Sequence, residues 1–266
     1  MLTKRLFDPG HVNRRDAVRY CCDPFTTMAI MENETAPCPH RKPVGLPCIQ
    51  CCLSDVFERT GQVPAKLLQL VDHIYERTLP KGEQLYREGD HAHALLIINH
   101  GLIKLTQTLA NGQQRIVRLL HGGDIIGLES LVNHQARHTA TAIVASHVCE
   151  LPTALILQLE SMDPQVYERL MVQWQRSLDE ADSFITELST GTAEARLARL
   201  LMKLSGGGNA APFPSLTRED IGSIIGVSTE TASRMMARFK REGFLQERGD
   251  ELSCREVGAL MRLAQN

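Results

Sequence analysis

Residues 216–245 read LTREDIGSIIGVSTETASRMMARFKREGFL, and this stretch decides the architecture. Thr217 predicts a helix N-cap, with Asp220 three residues on as a weak capping box. Ile221, Ile224 and Ile225 give that helix a buried face. Gly226 ends it, because a sharp turn favours a residue tolerant of positive φ. Ser228 predicts the next N-cap. On the second helix, Ala232, Met235, Met236 and Phe239 form one stripe, apolar and destined for the interior. Glu230, Ser233, Arg234 and Arg238 form the opposite stripe. Hydrogen-bonding side chains gathered near a helix N-terminus suit base edges in a major groove. Arg pairs with guanine O6 and N7, Glu accepts from cytosine N4, and Ser bonds either base type. Arg238, Lys240 and Arg241, toward the C-terminus, suit phosphates. The expected DNA-binding set is therefore Ser228, Glu230, Ser233, Arg234, Arg238 and Arg241. Phe244-Leu245 and Glu251-Leu252 flank Gly249-Asp250, a hairpin signal that supplies a wing. An ordinary two-helix packing unit with a charged face is the bland alternative, and the hairpin weighs against it.

Upstream, the pattern changes style three times. Thr192 opens a helical unit with Ala195, Leu197, Leu200, Leu201 and Leu204 apolar, broken by Gly206-Gly207-Gly208. Before it, Val166, Leu170, Trp174, Leu178, Ile185 and Leu188 recur largely at threes, fours and sevens from about Asp163, without internal Gly or Pro. A long helix with a narrow apolar stripe predicts a coiled-coil dimer seam, the competing reading being a helix packed on its own domain. Between about Val63 and there, a short helix fits Lys66–His73. Brief apolar runs follow, at 95–98, 102–105 and 116–120, separated by Gly101, Asn111-Gly112 and Gly122-Gly123-Asp124. Such runs predict a small antiparallel roll. The expected fold class is thus α+β: a cysteine-rich arm over 1–60, an antiparallel β-roll resembling a cyclic-nucleotide-binding jelly roll over 61–162, a dimerisation helix over 163–190 and a winged helix-turn-helix over 191–266.

The chain of 266 residues carries a formal net charge of −2, so any nucleic-acid signal must be local rather than global. No apolar run approaches the roughly 18 residues of a membrane span, and the basic start lacks an apolar core after it. Those features predict a cytoplasmic protein with no membrane partner. Eight cysteines in a reducing compartment are expected to be thiols or metal ligands rather than structural disulfides. Histidines and acids form no catalytic constellation, and His91-Ala92-His93 reads as a solvated turn, so no enzymatic activity is expected.

The block Asp220-Ile221-Gly222 … Gly226-Val227-Ser228-Thr229-Glu230-Thr231-Ala232-Ser233-Arg234 resembles the signature of the CRP/FNR superfamily of bacterial regulators, a resemblance extending over roughly residues 63–266. Glu230-x-x-Ser233-Arg234 is similar to the E-x-x-S-R recognition motif of the FNR branch. The cAMP-receptor branch typically has Arg where Ser233 stands. The resemblance implies a homodimer that binds palindromic TTGAT-type half-sites in double-stranded DNA and acts with RNA polymerase, for instance as an activator. A cyclic nucleotide is the first ligand to test in such a roll. However, Gly127-Leu128-Glu129 separates the Gly from the Glu that would hold the sugar, and Thr139-Ala140 stand where Arg-Ser would hold the phosphate.

The FNR branch implies a second sensor, an oxygen-labile [4Fe–4S] cluster held by three arm cysteines and one core cysteine. Cys48-x-x-Cys51 has the spacing that presents two thiolates to one metal centre. Cys149, in His147-Val148-Cys149-Glu150-Leu151-Pro152, resembles the core cysteine. The branch's arm usually reads Cys-x2-Cys-x5-Cys, and here the third cysteine would fall at or beside Phe57. Cys38 is the expected fourth ligand, with Cys52 as the alternative. Zinc, a thiol/disulfide switch within Cys38–Cys52 and a small molecule in the roll stay open. Cys21, Cys22 and Cys254 carry no assigned role.

Overall fold

A computed structural model describes residues 75–162, 165–207 and 212–265. The expected helix at Lys66–His73 and all six cysteines from Cys21 to Cys52 lie outside the described residues.

Among the described residues, eight strands build the roll as two four-stranded antiparallel sheets. One sheet runs β1 (Tyr75–Leu79), β8 (Ser146–Pro152), β3 (Ala94–His100), β6 (Ile125–Ile126); the other runs β2 (Gln84–Tyr86), β7 (Thr139–Ala142), β4 (Leu102–Thr108), β5 (Gln114–His121). Strand β3 is apolar without alternation from Ala94 to Ile98 because both of its faces are covered there. Leu96 and Ile98 point between the sheets with Leu79, Ile103, Leu105, Leu120 and Val148. Leu95 and Ile97 point the other way, with Cys149 and Leu151, onto helices. Each such side chain taken from water contributes roughly 1.5–3 kcal/mol.

Helix α1 (Thr153–Met162) follows β8 directly, and its Leu155 and Ile156 cover that outer face. The sequence reading had no helix there. A ten-residue run with few polar residues has little helical contrast, since its apolar residues fall on more than one face.

Helix α2 (Gln165–Leu188) divides the expected stripe in two. Leu170, Phe184 and Leu188 are buried against the chain's own domains, and Trp174 packs on the Leu95–Leu151 layer. Met171, Leu178 and Ile185, spaced by sevens, remain exposed together with Tyr167 and Val172. Leu170 and Leu188, expected in the seam, are therefore core residues of the protomer, and Met171, Leu178 and Ile185 are left as the heptad-spaced exposed residues.

Helix α3 (Ala193–Leu204) begins on Thr192, whose hydroxyl accepts the Ala195 amide at 3.2 Å. Arg199 gathers three carbonyls: Ala264 at 2.7 Å, Glu187 at 2.9 Å and Thr190 at 2.8 Å. It thus joins the end of α2 to the end of α6 (Val257–Ala264). Helices α4 (Arg218–Ile225) and α5 (Thr229–Arg241) follow. The three-stranded sheet β10-β11-β9 (Leu245–Arg248, Glu251–Cys254, Phe213–Pro214) completes a winged helix-turn-helix, with the wing turn at Gly249-Asp250 as expected.

The β4–β5 hairpin docks on α4. Lys104 Nζ lies 2.5 Å from Asp220 Oδ1, and the Asp220 carboxylate is nearly buried. The carboxylate serves this pair, so the reciprocal half of the capping box read from the sequence is not made. The Ser223 hydroxyl accepts the Ile116 amide at 2.9 Å and donates to the Gln114 carbonyl at 3.0 Å, which satisfies the free edge of β5.

Candidate nucleic-acid interface and sensor core

Two caps and two glycines shape the helix pair. Thr217 Oγ1 accepts the Asp220 amide at 3.0 Å, and Ser228 Oγ accepts the Thr231 amide at 3.2 Å. Gly226 closes α4 at φ 71°, and a Cβ there would also meet the Arg115 guanidinium at 2.6 Å. A Cβ on Gly222 would meet the Val227 carbonyl oxygen at 2.7 Å, so only glycine lets the turn cross α4 this closely. Beneath α5, Ala232, Met235, Met236 and Phe239 are buried, and Phe239 meets Phe244 edge-on at 5.5 Å.

On the outer face, Ser228, Glu230, Ser233, Arg234 and Arg241 are all exposed. Arg234 reaches back to Thr231 Oγ1 at 3.2 Å, which orients its guanidinium along the helix. The amide N–H of Glu230 itself, then the Ser228 hydroxyl, hold the Glu230 carboxyl below the usual carboxylate range, with a smaller contribution from Arg234. An ionised carboxylate at this place is an acceptor, as a cytosine amino group requires. Arg238 is placed differently from these. Its guanidinium forks onto Glu194 of α3, one arm at 2.9 Å, and also bonds Glu242 at 3.0 Å. Lys240 pairs with Glu247 on the wing, and Arg218 approaches the same carboxylate at 3.9 Å. The structure thus sets Arg234 and Arg241 outward, while Arg238 and Lys240 hold α5 to its neighbours. The sequence missed these pairings because Glu194 and Glu247 lie 44 and 7 residues away.

Within the roll, Cys149 is 1% exposed and its sulfur accepts from the Asn99 amide at 3.1 Å. It belongs to the layer beneath α1 and α2, with Leu155, Ile156 and Leu170. Of the cysteines expected to hold a cluster, it is the one among the described residues. At the nucleotide-like position, Gly127 (φ 86°) opens a 3-10 turn over Leu128–Leu131. Ala140 is fully buried, and Thr139 Oγ1 accepts the Glu88 amide at 3.0 Å. Thr139 and Ala140 therefore present no guanidinium to a phosphate. Nearby, the Tyr86 hydroxyl and Arg118 Nε are buried without hydrogen-bond partners among the described residues. Burial, then Glu129, raises the Tyr86 phenol, and burial lowers the His138 imidazole.

Residues 76–162 match the cyclic nucleotide-binding domain family, and residues 195–263 match the Crp-like helix-turn-helix domain. The chain is 30% identical over 225 residues to the fumarate and nitrate reduction regulatory protein of Vibrio cholerae, covering 82% of this chain and 90% of that protein. The chain belongs to the CRP/FNR family. The Escherichia coli K12 protein of the same name is also 30% identical to this CRP/FNR member, over 74% of this chain and 82% of that one. Among solved structures, FixK2 from Bradyrhizobium japonicum is similar with a TM-score of 0.64 at 25% identity, over 71% of this chain and 96% of that one. As a CRP/FNR protein with a Crp-like helix-turn-helix, the chain is a DNA-binding transcription regulator, and its relatives' names indicate regulation rather than catalysis. Among the described residues, no helix is long and apolar enough to cross a membrane.

Proposed function

We propose that this protein is a cytoplasmic FNR-type regulator that controls transcription in response to oxygen or redox state. Two copies associate through the exposed heptad residues of α2, and each presents α5 to one half of a palindromic TTGAT-like site. Glu230, Ser233 and Arg234 read bases there, Ser228 fixes the start of the helix, and Arg241 meets phosphate. Arg238 orients the helix through Glu194, leaving its role in phosphate contact secondary. RNA polymerase is the partner through which binding acts, as activator or otherwise.

The observation that carries the sensor reading is Cys149, a buried thiol with an amide donor on its sulfur, lying directly beneath the helix that would join the two copies. An N–H on sulfur and an apolar surround suit a cluster ligand, since both tune the centre's potential. Cys48, Cys51 and Cys38, with Cys52 as alternative, would supply the remaining thiolates of a [4Fe–4S] cluster. Such a cluster supplies an oxygen-labile centre. Cys149 shares its layer with Leu170 and Trp174, so a change at its sulfur bears on the seat of α2. The names of the relatives, fumarate and nitrate reduction and anaerobic regulatory proteins, favour the same reading.

The test is the visible spectrum and iron content of protein purified without oxygen. About four irons per chain in an all-cysteine cluster are expected, and Cys48→Ser, Cys51→Ser and Cys149→Ser should each abolish the colour and oxygen-dependent DNA binding together. Comparing Cys38→Ser with Cys52→Ser assigns the fourth ligand. Colourless protein that switches with oxidant, forming a disulfide within Cys38–Cys52, replaces the cluster with thiol chemistry.

A second reading rests on the partnerless Tyr86 hydroxyl and Arg118 Nε, which a small polar ligand inside the roll would satisfy. Ligand-dependent DNA binding that survives replacement of every arm cysteine would favour it.

A further inference from the structure

The turn between β5 and β6 brings two metal-binding side chains to one point. His121-Gly122-Gly123-Asp124 closes with the Asp124 amide on the His121 carbonyl at 3.1 Å, and Gly123 adopts φ 95°. The turn is tied to β3 by Gly123 N to the Ile98 carbonyl at 2.8 Å and by Ile98 N to the Asp124 carbonyl at 3.0 Å. A Cβ on Gly122 would strike the Asn99 carbonyl oxygen at 2.9 Å, so the turn sits hard against β3. Asp124 Oδ2 accepts the His121 amide at 2.8 Å and lies 3.3 Å from His121 Nδ1. The His121 amide thus fixes the Asp124 carboxylate, which in turn faces the His121 ring.

Helix α2 supplies the third group. One donor atom each from His121, Asp124 and Glu180 lie within 4.8 Å of one another. Asp124 and Glu180 line a cleft of about 270 Å³ between the roll and α2, together with Arg118, Gln173 and Arg176. His121, about half exposed, stands beside Asp124. The two arginines of the cleft make no ion pair with Glu180 or Asp124 among the described residues.

We infer that His121, Asp124 and Glu180 form a site for a divalent transition cation, of the Mn²⁺, Fe²⁺ or Zn²⁺ kind, that fastens the roll to α2. One imidazole and two carboxylates, with open positions for water, suit such ions better than Mg²⁺ or Ca²⁺, which favour all-oxygen sets. The site uses none of the cysteines and so is independent of the sensor. A cation there fixes the attitude of α2 at Glu180, two residues past the exposed Leu178.

Mn²⁺ is the probe of choice because its preference for oxygen and imidazole keeps it from the thiolates of the arm. The full chain, stripped with a chelator, is titrated with Mn²⁺ and followed by electron paramagnetic resonance. Saturable binding of one Mn²⁺ per chain is expected, with a hyperfine coupling to imidazole nitrogen. Glu180→Gln and His121→Ala should each weaken binding about ten-fold or more, and His121→Ala should erase the nitrogen coupling. Absence of saturable binding, absence of nitrogen coupling in the unaltered chain, or binding unchanged in both variants would overturn the site. The nitrogen coupling is read on the unaltered chain, so a variant that folds poorly leaves the test intact.

Discussion

At the scale of single residues, α5 separates two arginines four positions apart into different tasks. Arg234 faces outward beyond its bond to Thr231, whereas Arg238 is committed to Glu194 and Glu242. Arg234→Ala should relax base preference in the half-site by roughly 1–3 kcal/mol and leave the melting temperature of the DNA-binding region unchanged. Arg238→Ala should lower that melting temperature and weaken all DNA sequences alike. Binding-site selection and calorimetry on the two variants separate these outcomes. A second expectation concerns pH. His100 stacks on His147 at 4.4 Å, and burial, then His147, lowers its imidazole from the ordinary 6.5. Below 6.5 the unfolded chain takes up the proton first, so the stability contributed is full above that value and is lost as pH falls toward the depressed folded one. His100→Gln should flatten the fall in melting temperature between about pH 7 and pH 5; an unchanged slope would assign the fall elsewhere.

At the scale of elements, α2 shows what periodicity carries and what it does not. The helix and its apolar residues were legible from threes, fours and sevens, but the stripe reads the same whether its partner is another copy or the chain itself. Only the fold tells that Leu170, 5% exposed, faces Cys149 while Leu178 and Ile185, at 50% and 60%, face outward. Leu178→Glu and Ile185→Glu should therefore give folded monomers in sedimentation, because a charge in a seam loses its solvation without a partner. Leu170→Ala should instead destabilise the protomer by about 3 kcal/mol and leave association nearly intact. The caps at Thr217 and Ser228 and the wing turn at Gly249-Asp250 were legible because they are local chemistry. Helix α1 was not, since its apolar residues are spread too evenly to give a period. Arg238's partner Glu194, and Glu180's approach to the His121–Asp124 turn, are long-range juxtapositions that no local pattern announces.

At the scale of the whole molecule, the roll and the DNA-binding region are not beads on a string. The Lys104–Asp220 pair and the Ser223 bridge seat the β4–β5 hairpin on the helix that precedes α5. Lys104→Met would leave a nearly buried carboxylate without its cation, at a cost of about 1–3 kcal/mol. Hydrogen exchange at the Ile116 amide should quicken, and adding Asp220→Asn should restore part of the loss. If exchange is unaffected by Lys104→Met, the pair does not hold the two regions together.

Arg199 has a mechanical consequence. A planar guanidinium that holds carbonyls at the ends of both α2 and α6 leaves neither end free to swivel about the Ser189–Gly191 connection. The joint therefore behaves as a crank rather than a hinge. In the proposed pair, a small roll of the long helix about its axis would carry the whole DNA-binding head with it, so the angle between the two heads would follow how the long helices cross.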